Sequence, residues 1–269
     1  MFSQIYNTIL YEPIFNTMIW LYNVLPGHDM GVAIIILTLA IKLVLFWPSL
    51  SALKAQKKLQ DTQPRVNEIR EKYKDDKEEM GKQLMEFYKT NKVNPFSSCL
   101  PLIIQLPILI ALYRAFLHGL QIDASTHLLA ADQVAHLYGY LRDLYATTPI
   151  NVTLFGLVDL AKTHNIAFAV VAGLAAFFQA RTMQAKRAAV KTAGSKDEDT
   201  AAAVNRQMMY LMPVLTVVFG YQFPAGVTLY WIVSTLFSLC QQLYFFRVRK
   251  GWKPAETSVE QKPIVQAEK

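Results

Sequence analysis

What most constrains this chain is a set of five apolar runs without a single Asp or Glu, separated by segments that hold nearly all of its charge. Hydrocarbon about 30 Å thick is crossed by about 20 helical residues rising 1.5 Å each. The runs divide the chain into an N-terminal extracytoplasmic interfacial segment (1–30), a first span (31–53), a charged hairpin (54–95), a second span (96–117) and a polar loop (118–164). A third span (165–180), a second charged loop (181–206), two closely linked spans (207–246) and a basic tail (247–269) follow. The third and fourth runs are short, so each borrows flanking residues or sits in a locally thin bilayer. The expected fold class is all-α, a polytopic membrane protein with five transmembrane helices, an N-terminal interfacial helix and a cytoplasmic helical hairpin.

Composition agrees once it is localised. Hydrophobic residues make up 53% and charged residues 17%, a modest departure from the roughly 45–50% and 25% of soluble domains. Residues 54–95, however, hold 11 of the 27 Lys and Arg and 8 of the 20 Asp and Glu, so the remainder is far more apolar than the average. Two cysteines exclude a disulfide-stapled framework. The Lys and Arg counts by segment run none in 1–30, 11 in 54–95, 2 in 118–164, 6 in 181–206, none in 222–225 and 6 in 247–269. By the positive-inside rule this alternation puts the N-terminus outside, and both charged loops and the tail in the cytoplasm. Most of the net charge of +7 is then topology. Arg247, Arg249, Lys250 and Lys253 add a surface for anionic lipid or a translating ribosome.

The N-terminal segment lacks a basic start, and Glu12, Pro13, Asn16 and Asn23 interrupt it, unlike a signal peptide. Ile14, Phe15, Met18, Ile19, Leu21, Tyr22 and Leu25 recur at helical spacing with Trp20 alongside. This predicts a helix over 3–25 lying on the outer leaflet, turned by Pro26 and Gly27 into the first span. No lipobox cysteine is present, so no lipid anchor is expected. In the first charged segment, Leu59, Val66, Ile69 and Tyr73 form one apolar seam and Met80, Leu84, Phe87 and Tyr88 another, as in two packed antiparallel helices. Asp75 and Asp76 suit the turn, Pro64 bends or restarts the first helix, and Glu68–Lys72 and Glu78–Lys82 are favourable i,i+4 pairs.

Lys42 is the one base in mid-span. It costs about 2.5–3.5 kcal/mol on insertion scales, and no acid lies in any span to neutralise it. The cytoplasmic edge is about 15 Å away, beyond a Lys side chain's reach of about 6 Å, so a wet cavity accounts for it better than snorkelling. Thr38, Lys42, Ser49 and Gln56 form a polar stripe on that span, and Trp231, Ser234, Ser238, Gln241 and Gln242 another on the last. Gln105 and Gln179 add polar groups to the second and third spans. Each Ser or Gln has two readings: cavity lining, or interhelical glue worth about 0.6 kcal/mol. Pro101, Pro107 and Pro213 fall within spans and are expected to kink them. Cys99 and Cys240, in or beside spans, read as buried, inert thiols. The histidines have no metal-ligand spacing, and no phosphate loop, nucleophile elbow or intramembrane acid pair is present. No cofactor, metal site or catalytic residue is expected.

The run from Lys42 to Pro48, the charged hairpin, Asn94-Pro95 leading into Cys99-Leu100-Pro101-Leu102-Ile103-Ile104-Gln105-Leu106-Pro107, and Phe223-Pro224-Ala225-Gly226-Val227-Thr228-Leu229-Tyr230-Trp231 resemble the YidC/Oxa membrane insertase family. The likeness runs in order from about residue 3 to residue 250. It implies five helices around a hydrophilic groove open to the cytoplasm and lipid, and a non-enzymatic activity: inserting and helping to fold client membrane proteins. A client-binding groove would be lined by Lys42, Thr38, Ser49, Gln105, Gln179, Trp231, Ser234, Ser238 and Gln241. The family's usual groove base is Arg, and Lys lacks its planar fork. The expected form is a monomer of the bacterial plasma membrane without a large extracytoplasmic domain. Its expected clients have one or two spans and acidic N-terminal segments, with the Sec translocon, the ribosome and anionic lipids as further partners. The acidic run Asp197-Glu198-Asp199 has no assigned role. A small transporter or channel subunit, with Lys42 as a binding or gating charge, is the alternative; it lacks the intramembrane acids and repeats such proteins use.

Overall fold

A computed structural model describes residues 2–94, 100–120, 126–182 and 210–248. Residues 183–206 of the second charged loop with its acidic run, nearly all of the tail, and Cys99 lie outside the described residues, and Cys240 is exposed rather than buried. The chain is mostly helical: α1 (Phe2–Tyr6), a π-helical turn (Asn7–Tyr11), α2 (Glu12–Val24), α3 (Met30–Val44), α4 (Phe46–Asp61), α5 (Gln63–Lys72), α6 (Lys77–Thr90) and α7 (Leu100–Arg114) come first. A second π-helical turn (Ala115–Gly119), α8 (Ala131–Val134), α9 (Gly139–Tyr145), a hairpin of β1 (Thr153–Leu154) and β2 (Val158–Asp159), and α10 (Ile166–Thr182) follow. Helix α11 (Tyr210–Gln222), α12 (Ala225–Leu243) and a last π-helical turn (Tyr244–Val248) end the described chain.

Among the described residues one helix, Ala225–Phe246, is by itself long and apolar enough to cross a bilayer. Ile103–Leu117, Ile166–Thr182 and Tyr210–Gln222 are shorter apolar helices. The expected first span is not one straight helix: α3 and α4 meet at Leu45 with a 66° bend. Pro48 accounts for the break, since it has no N–H for the Val44 carbonyl and its ring crowds that oxygen. The bend divides the polar stripe, leaving Thr38 and Lys42 on α3 and Ser49 and Gln56 on α4.

Helix α2 differs from an interfacial helix in what its apolar face meets. Phe15, Met18, Ile19 and Tyr22 are buried in the protein core, packed with Met30, Ala33, Ile34 and Leu37 of α3. Ile9, Trp20 and Val24 stay exposed. Periodicity identifies an apolar face but not whether lipid or protein covers it. Polar groups fasten α2 to the loop above it: Asn16 Nδ2 donates to the His136 carbonyl at 2.8 Å, the Tyr138 N–H donates to Asn16 Oδ1 at 2.7 Å, and Tyr11 OH donates to Gln133 Oε1 at 2.9 Å. Tyr145 OH donates to Asn23 Oδ1 and the Asn151 N–H to Tyr22 OH.

In the charged segment, α5 restarts with Pro64 in its first turn, where a missing N–H costs nothing. Asp76 caps α6, accepting from the Glu79 N–H at 3.0 Å, and α5 touches α6. Lys82 pairs with Glu78 at 2.9 Å, but the expected Glu68–Lys72 pair gives way to Arg65–Glu68 at 2.6 Å. The Arg lies one turn earlier, equally within reach, and offers a forked donor.

The core has one address. Met30–Leu37 of α3, Ile108–Leu120 at the end of α7 and after it, and Ala225–Tyr230 of α12 join α2 and the loop in a single buried cluster. These helices run in alternating directions, so this is one end of the bundle, the capped end. Gly226 permits the closest approach there, because a Cβ at that position would overlap the Phe116 ring.

Candidate functional site

The same three helices turn polar past the core, toward the opposite end. On α3 the change comes at Thr38 and Lys42, on α7 at Gln105, and on α12 from Ser234 onward. Thr38 is buried and closes on its own helix, its hydroxyl donating to the Ile34 carbonyl at 2.6 Å. Lys42 reaches outward: its Nζ donates to Gln105 Oε1 at 3.3 Å and to Ser238 Oγ at 3.4 Å. Ser238 Oγ in turn donates to the Ser234 carbonyl at 2.9 Å, and Gln105 Nε2 donates to Tyr230 OH.

One ammonium thus ties α3, α7 and α12 together. An ammonium carries three N–H donors, so two are engaged and one is left for a further acceptor. No carboxylate contacts Lys42 among the described residues. Its positive charge is held by neutral dipoles. That arrangement solvates the cation without cancelling its field.

A second polar contact lies further along α12. Ser49 Oγ donates to Gln241 Oε1 at 2.9 Å, and Gln241 Nε2 reaches the Phe46 carbonyl at 3.5 Å. The latter carbonyl belongs to the first residue of α4, beside the α3–α4 break. Lys54 and Lys57 face the Phe245 and Phe246 rings at 5.9 and 5.8 Å, continuing the α4–α12 contact. A third contact joins α10 and α12: the Thr182 hydroxyl lies 2.6 Å from Gln242 Oε1 and 2.7 Å from the Gln179 carbonyl, sharing one proton between them.

Of the residues the sequence singled out, Lys42, Gln105, Ser234 and Ser238 meet in one cluster, and Ser49 and Gln241 in a neighbouring pair. Gln179 enters a hydrogen bond through its backbone, and Trp231 sits among aromatic rings, 6.3 Å from Phe223. The glue reading describes the Ser49–Gln241 bond. Sequence reasoning passed over Tyr230, buried at 1% exposure, and Thr182. The signal for Tyr230 was its place four residues before Ser234 on the polar face; for Thr182 there was none.

A family model described as 60Kd inner membrane protein matches residues 20–251. The chain belongs to this family, the YidC/Oxa insertases. Among its relatives, the membrane protein insertase YidC of Syntrophobacter fumaroxidans is 33% identical over 242 residues, covering 89% of this chain and 38% of that protein. Those of Cupriavidus necator and Nitrosococcus oceani are 32% identical over 250 residues and 30% over 240. They cover 92% and 89% of this chain against 37% and 36% of their own lengths. The chain thus spans under two fifths of the YidC relatives it matches.

Proposed function

We propose that this chain is a membrane protein insertase and chaperone, non-enzymatic, which lowers the cost of moving a client's polar segment into the bilayer. The observation that carries the reading is the Lys42 ammonium, held by Gln105 and Ser238 on three helices, just past the point where the dry core ends. A client segment stripped of water loses about 4–8 kcal/mol per unpaired amide on a scale where nothing can hydrogen-bond. Hydroxyls, amides and one spare ammonium donor in a groove replace those bonds one at a time. The capped end stays apolar and packed, which favours a groove closed on that side and open on the other.

In the full reading, five helices cross the bacterial inner membrane with the capped end outside, and the α5–α6 hairpin and the tail lie in the cytoplasm. The groove residues are Lys42, Thr38, Ser49, Gln105, Gln179, Trp231, Ser234, Ser238 and Gln241. Clients with one or two spans enter through acidic N-terminal segments and leave as their apolar helices partition into lipid. Anionic lipid, the ribosome and the Sec translocon are the further partners.

The test is reconstitution into liposomes with a short single-span client added from the vesicle exterior. The expected result is client insertion, scored by protease protection, without ion flux. Ion flux without insertion would overturn the reading in favour of a channel or transporter subunit.

A further inference from the structure

The β-hairpin of the loop turns through Phe155-Gly156-Leu157, so that beside Gly156 its tip carries two large apolar side chains where Asn, Asp and Ser are ordinary. Phe155 is 68% exposed and Leu157 86%, and residues 150–158 contain no charged side chain. The tip is rigidly built. Thr153 pairs with Asp159 and Leu154 with Val158, the Leu157 N–H donates to the Leu154 carbonyl at 3.0 Å, and the Phe155 N–H donates to the Asp29 carboxylate. Phe155 also takes a φ of +51°, a conformation a bulky side chain rarely adopts. These side chains therefore protrude by construction.

Where the tip stands follows from its attachments. Asp29, which holds the Phe155 N–H, also caps α3 through the Val32 N–H at 2.9 Å, and Leu154 covers Gly31. The strand continuing from β2 is sewn to the other helix ends. The Gly226 N–H donates to the Leu160 carbonyl at 2.9 Å, the Ala225 N–H to the Lys162 carbonyl and the His164 N–H to the Tyr221 carbonyl, both at 2.8 Å. Helix α10 begins at Ile166. The ends of α3, α10, α11 and α12 at the capped end thus share one level with the hairpin, and for membrane helices that level is the boundary between lipid and water.

We propose that Phe155 and Leu157 form a membrane anchor that enters the leaflet at the capped end. Its occupant is the interfacial lipid, where aromatic and aliphatic side chains at helix ends are accommodated. The anchor sets the depth of α3 and α12, and so of Lys42 and Ser238. This rests on the reading of these helices as membrane-embedded, not on any insertion activity.

The experiment places a nitroxide at Leu157→Cys in a Cys99→Ser/Cys240→Ser background, reconstituted in phosphatidylethanolamine and phosphatidylglycerol vesicles without client. Reference labels go at exposed Asp143 on α9 and exposed Val170 on α10. Dissolved oxygen is expected to relax the label at 157 as it does that at 170, with loss of relaxation by a water-soluble nickel chelate. The label at 143 should show the reverse. Relaxation at 157 matching that at 143 overturns the anchor while leaving the helices in the membrane. Nickel access at 170 as well overturns the membrane placement beneath it. Protection of 157 only after client is added also overturns the anchor and assigns the tip to client contact.

Discussion

The proposed function rests most heavily on Lys42, whose charge is solvated by Gln105 and Ser238 with no carboxylate in contact among the described residues. Attraction to a client carboxylate 4 Å away is worth about 1 kcal/mol in water and about 4 kcal/mol at an effective dielectric of 20. Lys42→Arg should retain insertion, Lys42→Ala should slow clients with N-terminal Asp or Glu most, and Lys42→Glu should reject them. Paired clients differing only in N-terminal acids provide the measurement. Equal, wild-type rates for both with Lys42→Ala would remove the electrostatic role. Gly226 is the structural counterpart at the capped end. Gly226→Ala drives a methyl group into the Phe116 ring, and overpacking of this kind costs about 1–3 kcal/mol. Thermal unfolding in detergent should show a lowered midpoint, and Phe116→Leu in the same chain should recover part of it.

Two elements make opposite use of the chain. The loop over α2 is tightly hydrogen-bonded and buries Leu137, Leu141 and Tyr145, whereas α6 has no buried residue. Burial pushes the Tyr145 hydroxyl up to about 12, with Tyr22 and Tyr140 adding to the rise. Its folded-state value lies above the unfolded value of about 10, so the folded state holds the proton more tightly between the two. The stabilisation is complete below about pH 10 and is lost as pH rises toward 12. Hydrogen exchange at Asn151 and Leu141 should accelerate over that interval, and Tyr145→Phe should flatten the dependence. For α5 and α6, thinly packed elements open at low cost. Deleting Lys57 to Tyr88, which removes the last turn of α4 with them, should leave the protein in the membrane but abolish insertion. Full activity would reduce the segment to a linker.

At the scale of the molecule, the layout is a sealed apolar end and a polar end built from the same three helices. Under the proposed function, the orientation in the membrane decides which side the polar end faces. Single cysteines at Thr126, Ala188 and Glu256 in a cysteine-free background test it. An impermeant thiol reagent added to intact cells should modify only the first; modification of Ala188 would overturn the topology derived from the Lys and Arg counts.

Much of this could be read from the chain alone. Helical elements, the restart at Pro64, the solitary base at Lys42 and the polar faces of its partners follow from local periodicity and backbone chemistry, which act within a few residues. Family membership was legible too, because Cys99–Pro107 and Phe223–Trp231 are contiguous motifs. Tertiary structure alone decided whatever depends on which surfaces meet. It turned the apolar face of α2 into the core, whereas the bend at Leu45 and the Arg65–Glu68 pair are local, set by Pro48 and by i,i+3 spacing. It also brought Tyr230 to Gln105 across 125 positions of sequence. Periodicity says which face of a helix avoids water. What covers that face is settled by the summed packing of the whole chain, and no window of residues contains that sum.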